Sequence, residues 1–345
     1  MTKHLMHIVT PVWGEAYVNC FIDVCIPALL APNNAPFFAG KKNLVHHIIT
    51  TPEDREVLKR APAFQKLAEA IDIRFDETPS DPKAGGDRHH WQSYCNRVGI
   101  EYADSHGAAM IFLNADVVVA DGGIKSLYAM LERGKRAVQA LAVRVVKEEV
   151  VPKLIERHRS ADGIRLSIMP RDLIRLTLEH LHPLVLQHLY DGPDLDLSPS
   201  ALFWVVEREG LIARCFHLHP MMVYPRIKNA AFSTTIDDDY LRSACPDPAD
   251  EYIVMDSDEF CACELSGIDR AGPGLPRGQV DKSVSSWAAA AAKLQHFENV
   301  ARRIILRCED GDKVAWQKAA NQSDTAISAI LRQVAELKAV SPGAV

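Results

Sequence analysis

Ala108-Ala109-Met110-Ile111-Phe112-Leu113 is an unbroken apolar run that ends on Asn114-Ala115-Asp116. A second apolar run, Val117-Val118-Val119-Ala120, follows and stops at Asp121-Gly122. A short continuous apolar run bounded by turn residues reads as a strand covered on both faces. A carboxylate raised on the tip of such a strand is placed to hold a divalent cation, and a cation there can neutralise a diphosphate leaving group. The bland alternative is that Asn and Asp end the strand by satisfying turn backbone groups.

Upstream, the pattern is strand, turn, helix, repeated. His7-Ile8-Val9-Thr10-Pro11-Val12 is a β-branched run closed by Trp13-Gly14, and Glu15 to Leu30 has helical apolar spacing. Leu44 to Thr50 is a second strand, after which Thr51 caps a helix opened by Pro52. Ile71 to Phe75 is a third, followed by a polar loop to about Asp87 and an amphipathic stretch from Trp91 to Ser105. Strands alternating with helices imply a mostly parallel sheet flanked by helices, an α/β class.

Downstream, Gly122 to Arg133 reads as a helix and Arg136 to Arg144 as a strand; from Pro152 to Tyr190 the helical period dominates. After a loop at Asp191-Gly192-Pro193-Asp194, Ala201 to Val206 and Leu211 to His219 look like paired strands, so this half reads as α+β. Residues 1–267 are taken as one domain, with 1–145 as a ligand-binding half and 146–267 as a second half facing an acceptor. Residues 268–345 are a Gly- and Pro-rich linker, Asp269 to Gly278, and a C-terminal helical hairpin over Val284 to Cys308 and Val314 to Leu337. The alanine-rich C-terminal helices are packing elements or the seam of a homodimer.

The chain has 345 residues, about half of them apolar, and a formal net charge of -6. That balance argues against nonspecific nucleic-acid binding, which needs a strong positive field. No apolar run reaches the roughly 20 residues of a membrane-spanning helix, and no signal peptide is evident at the N-terminus, so the chain reads as soluble. Eight scattered cysteines, lacking the spacing of a zinc ribbon or a disulfide scaffold, suit a reducing cytoplasm. Cys245, Cys261 and Cys263 lack the spacing and the fourth ligand of a zinc site. No Gly-x-x-x-x-Gly-Lys-Ser/Thr run exists and no Gly-x-Gly-x-x-Gly follows the first strand, so kinase, NTPase and dehydrogenase readings lose their main support.

The apolar strand running into Asn114-x-Asp116 resembles the GT-A glycosyltransferases, in which an Asp-x-Asp motif follows such a strand. The resemblance extends to Asn96-Arg97-Val98-Gly99-Ile100-Glu101-Tyr102-Ala103, similar to the helix before that motif, and to Ile8-Val9-Thr10-Pro11-Val12, similar to the family's first nucleotide-binding strand. It covers roughly residues 5 to 145, with weaker support to about 265. It implies a GT-A, Rossmann-like sheet and a glycosyltransferase of the hexosyltransferase type. Such an enzyme moves a sugar from a nucleoside diphosphate sugar, with UDP as the default, to a hydroxyl of a glycan or glycoconjugate, as in polysaccharide biosynthesis. It would act in the cytoplasm, as a peripheral protein where the acceptor is lipid-linked.

The resemblance also implies roles. Thr10, Pro11, Trp13 and Glu15 line the base and ribose pocket, Thr50 lies near the base, and Arg97 faces the ribose or diphosphate. Asn114 and Asp116 carry the diphosphate end, where Asn114 departs from the family pattern and puts strict metal dependence in question. Asp116 binds Mn²⁺ or Mg²⁺, joined by a late ligand for which Phe216-His217-Leu218-His219-Pro220 offers two imidazoles. A period of two puts His217 and His219 on one face of a strand, and imidazole favours Mn²⁺. The acids Asp237 and Asp239, with Asp258 as competitor, are candidates for the base that takes the acceptor proton in an inverting reaction. Two rivals remain: a glycosyltransferase-like scaffold that has lost turnover, for which Asn114 is the motive, and a sugar-phosphate nucleotidylyltransferase, whose glycine-rich basic loop Pro11-Val12-Trp13-Gly14-Glu15 does not supply.

Overall fold

The computed structural model describes residues 4–78, 88–196, 198–230, 236, 240–270, 275–276, 278 and 280–340. Its main sheet has seven strands, in the order Glu251–Ile253, Ala137–Ala140, His219–Val223, Ala109–Phe112, Met6–Pro11, Leu44–Thr50, Asp72–Glu77. Neighbours are parallel except at His219–Val223, which runs antiparallel to the strand on either side. Pro220 has no N–H to give the ladder, and the register shifts between Pro220 and Met222, the kind of irregularity at which a sheet accepts proline.

Parallel neighbours need crossovers, and helices make them. Pro52–Arg60 and Pro62–Ala70 join the second strand to the third, and Arg88–His106 joins the third to Ala109–Phe112. Thr51 caps as expected, its side chain accepting from the Asp54 amide at 3.2 Å. The helix after the first strand runs Glu15–Leu29 with a π-helical turn at Phe21–Cys25. Pro27 cannot donate to the carbonyl four residues back; that carbonyl, on Asp23, accepts instead from Arg159.

Three segments differ from the sequence reading. Arg136 to Arg144 is two strands, because the chain leaves the main sheet after Ala140 and Ala142–Val146 joins a second sheet with Ala262–Ser266 and Val117–Val119. The Pro152 to Tyr190 region is three helices, Lys147–His158, Pro170–Glu179 and Pro183–Leu186, broken by turns. Within the proposed hairpin, Val280–Ala291 and Leu294–Val300 are helical, but the β-branched Ile304–Arg307 is a strand that pairs with Gly210–Cys215, itself paired with Ala201–Val206. The helix Lys313–Val340 packs on this third sheet through Ala320, Ile327 and Ile330 against Leu202, Trp204 and Ile212. Arg214, 3% exposed, ties the two together by bonding the Ala301 carbonyl at 2.8 Å, Ser323 and Asp324.

The helix Arg88–His106 lies so close on Met6–Pro11 that a Cβ on Gly99 would meet Val9 Cγ1 at 2.5 Å. Gly99→Ala should therefore destabilise the protein by about 1–3 kcal/mol, which chemical denaturation will measure.

Beneath that helix sits a histidine cluster. His7 stacks on Tyr102 with ring centroids 5.1 Å apart, Tyr102 lies 5.1 Å from His47, and the Arg74 guanidinium lies over the Tyr102 ring at 3.8 Å. Burial first, then repulsion from His47, His106 and Arg74, lowers the His7 pKa to about 4; burial and then His47 lower His46 to about 3. Because the unfolded chain binds these protons near 6.5, their contribution to stability is complete above that pH. It is lost progressively as pH falls from 6.5 towards 4 and 3. Thermal melts should show a decline between pH 7 and 4.5, and His7→Phe, which removes one titrating group, should flatten it.

Candidate functional site

The chain leaves the main sheet at the end of Ala109–Phe112. Leu113 N still donates to the Val9 carbonyl at 3.1 Å, then Val117 N donates back to the Asn114 carbonyl at 3.2 Å, closing a turn, and Val117–Val119 enters the second sheet. The Asp116 carbonyl accepts from Leu265 N at 2.8 Å, so the turn is pinned to Ala262–Ser266. Asn114 and Asp116 are thereby held beyond the carboxyl end of a central parallel strand, where loops diverge in open α/β sheets.

A cleft of about 430 Å³ opens there. One wall is Pro11, Val12, Trp13 and Tyr17; the floor is Asn114, Ala115 and Asp116; Gln92, Arg144, Leu184, His219 and Glu264 close it. Gly14, at φ 82°, makes the tight turn that presents Trp13, and its N–H donates to Asp54 at 2.8 Å. Gln92 Nε2 donates to Asn114 Oδ1 at 2.9 Å. His219 Nε2 donates to the Phe112 carbonyl at 2.9 Å, which leaves Nδ1 as the lone-pair nitrogen. Arg144 and Glu264 face each other in the parallel ladder, Nε to Oε1 at 3.0 Å.

A second lobe, of about 380 Å³, shares Asn114, Arg144, Leu184, His219 and Glu264 with the first. It adds His188 and Asp196, 3.2 Å apart, with Ser200, Phe203 and His217. The His217 ring lies 4.0 Å from that of His296.

Of the expected residues, the structure brings Pro11, Trp13, Asn114, Asp116 and His219 together in the first lobe, with His217 in the second. Asp116 is only 8% exposed yet lines the cleft. Thr10 is fully buried and its hydroxyl bonds His46 at 2.9 Å, since the strand's alternation turns it inward, and buried Thr50 lines neither lobe. Glu15 and Arg97 are exposed outside both lobes. Asp258 is held in a surface ion pair by Arg171 at 2.7 Å, away from both lobes. Asp237 and Asp239 lie outside the described residues.

His217 and His219 do not alternate along one strand: Gly210–Cys215 ends before them and His219–Val223 begins at the second. Among the described residues no three His, Cys, Asp or Glu side chains gather as a metal cage. The donor set suits a hard cation that keeps its waters and arrives with substrate phosphates, which needs only one or two carboxylates. Asp116 is a carboxylate on the floor of the first lobe, and of the two imidazoles His219 lines that lobe while His217 lines the second.

Sequence reading missed Arg144 and Glu264. The available signal was a lone charge inside an apolar strand in each case, Ala-Val-Arg-Val-Val and Ala-Cys-Glu-Leu; their meeting depends on a parallel pairing between segments about 120 residues apart.

No family model and no curated protein matches the chain. Among solved structures it is similar to S. aureus TarS, at 9% identity and TM-score 0.28 over 41% of this chain and 21% of that one. It is similar to mouse xyloside xylosyltransferase 1 in its apo form, at 16% identity and TM-score 0.26 over 46% and 61%. A Bacillus anthracis protein described as a glucose-1-phosphate thymidylyltransferase matches at 14% identity and TM-score 0.23 over 42% and 57%. The chain spans less than two thirds of each, and at these scores the likenesses carry no argument.

His219→Leu should cost about 1–3 kcal/mol by leaving the Phe112 carbonyl unpaired, whereas Gln92→Ala should stay within about 0.5 kcal/mol; urea denaturation compares them. The fold, read from the chain's own strand order, is the helix-flanked, mostly parallel α/β sheet that the GT-A resemblance implies.

Proposed function

We propose that the protein transfers a sugar from a nucleoside diphosphate sugar, UDP by default, to a hydroxyl of a glycan or glycoconjugate. The carrying observation is the two-lobed cleft at the carboxyl end of the sheet, whose lobes meet at Asn114, Arg144, His219 and Glu264. A group-transfer enzyme needs two substrates meeting at one bond, and the shared residues stand where that bond would break. In this reading the donor occupies the first lobe, with its base and ribose beside Pro11, Trp13 and Tyr17. The acceptor occupies the second, beside His188, Asp196 and Ser200.

An acceptor hydroxyl attacks the anomeric carbon while the bond to the β-phosphate breaks; the hydroxyl proton passes to a carboxylate beside the acceptor, for which Asp196 is placed, and negative charge builds on the departing diphosphate. A divalent cation, when bound, supplies positive charge to that oxygen; Asp116 is the residue that would hold it. Arg144 adds a fixed cation, and Leu184 keeps an apolar surface against the reacting centre. A cytoplasmic site of action and a dimer through the C-terminal helices belong to this reading too. Among the described residues no helix is long and apolar enough to cross a membrane.

Calorimetry with UDP, GDP and CDP in the presence of Mn²⁺ tests the proposal: one should bind, and Asp116→Ala should weaken it at least tenfold, about 1.4 kcal/mol. Binding of none would remove it. Slow release of free nucleotide from the matching nucleotide sugar, abolished in Asp116→Ala, separates an enzyme from a scaffold that only binds.

A further inference from the structure

The geometry points to a metal-independent anion clamp, formed by the Arg144 guanidinium and the Asn114 side-chain amide, that grips the phosphate next to the breaking bond. It rests on the reading of the first lobe as a donor site, and it gives the neutral residue at 114 a purpose as a hydrogen-bond donor.

Asn114 Oδ1 is occupied by Gln92 Nε2 at 2.9 Å. That bond fixes the amide so that its Nδ2, a two-proton donor, is the end left over; it donates no hydrogen bond among the described residues, and Asn114 lines both lobes. A carboxylate in this position would place a third negative charge beside Asp116 and Glu264. The amide presents positive hydrogens instead.

Arg144 meets Glu264 through its Nε edge, at 3.0 Å. Its two terminal nitrogens donate no hydrogen bond among the described residues, and the side chain is 44% exposed at the junction of the lobes. The backbone beneath is anchored, with the Arg144 carbonyl accepting from His182 N at 3.1 Å and the residue in register with Glu264. A guanidinium held by one edge with its fork open to a cavity is a bidentate reader of phosphate oxygens. Glu264 acts as a positioning residue that aims the fork. Among the described residues Arg144 is the one arginine or lysine lining either lobe, so an anion entering the junction has this cation to meet.

The phosphate bonded to the sugar must lie where donor and acceptor spaces join, because that is where its bond breaks. Both clamp residues are common to the two lobes, which puts them at that phosphate rather than at the nucleoside.

Titrations of UDP, uridine and inorganic pyrophosphate in EDTA test the clamp. The wild type should bind UDP at least about tenfold more tightly than uridine without metal, as charge-assisted bonds to the phosphates require. Arg144→Ala should erase that difference while leaving uridine affinity unchanged, which shows that the fold persists, and Arg144→Lys should restore only part of it. Asn114→Asp should weaken UDP in EDTA, and Glu264→Gln should have a smaller effect of the same sign.

Equal affinity of the wild type for UDP and uridine in EDTA would overturn the clamp while leaving the donor reading intact. So would an Asn114→Asp variant that is unchanged in EDTA and binds UDP more tightly with Mn²⁺, because position 114 would then be a weakened metal ligand. If no nucleotide binds with or without Mn²⁺, the donor reading falls. Pyrophosphate then decides the clamp: binding that depends on Arg144 retains it, and no binding overturns it.

Discussion

Phe112 is the last residue of a central strand, and its carbonyl accepts from His219 Nε2. That bond, with the Leu113 amide bond to Val9 and the Leu265 amide bond to Asp116, fixes where the chain quits one sheet and enters another. Two sheets diverging from one turn leave a wedge of space that neither can fill. The cleft is that wedge, and its floor is the turn itself. Buried backbone groups must be paired, so the same requirement that shapes the turn also positions Asn114 and Asp116.

The charges around this floor are sparse and opposed. Among the described residues lining the first lobe Asp116 and Glu264 are acids and Arg144 is the base, a formal charge of -1 before any substrate enters. A diphosphate carries more negative charge than Arg144 alone can balance. In the proposed reaction a cation travelling with the phosphates, which Asp116 would hold, would complete the balance without a protein cage. The amide at 114 avoids the repulsion that a third carboxylate at this position would add. In the proposed reaction both features would let one site accept a highly charged leaving group while presenting little net charge when empty.

The first half of the fold was legible because it is local. Apolar runs at Ile8, Leu44 and Met110, with Thr51-Pro52 and the intervening helices, are each decided within a dozen residues, and the parallel order follows from their alternation. The second half was not. Arg136 to Arg144 looks like one strand, but only the three-dimensional path divides it between two sheets, and Ile304–Arg307 sits inside an otherwise helical, alanine-rich segment. The same distinction separates the site residues. Asn114 and Asp116 announce themselves beside their own strand, whereas Arg144 and Glu264 acquire meaning through a pairing across the chain. His217 and His219 do not share a strand face because a period of two holds only within a strand, and the strand begins at the second of them. Thr10 and Thr50, polar at strand ends, were drawn inward by the sheet's alternation.

The account depends on a diphosphate lying against the turn at 114–116. A crystal structure of the protein with UDP and Mn²⁺ tests this most directly. Phosphate oxygens should lie at the fork of Arg144 and the amide of Asn114, with Asp116 beside the cation. A nucleotide bound elsewhere, or phosphates in the first lobe remote from Asp116 and Arg144, would contradict it.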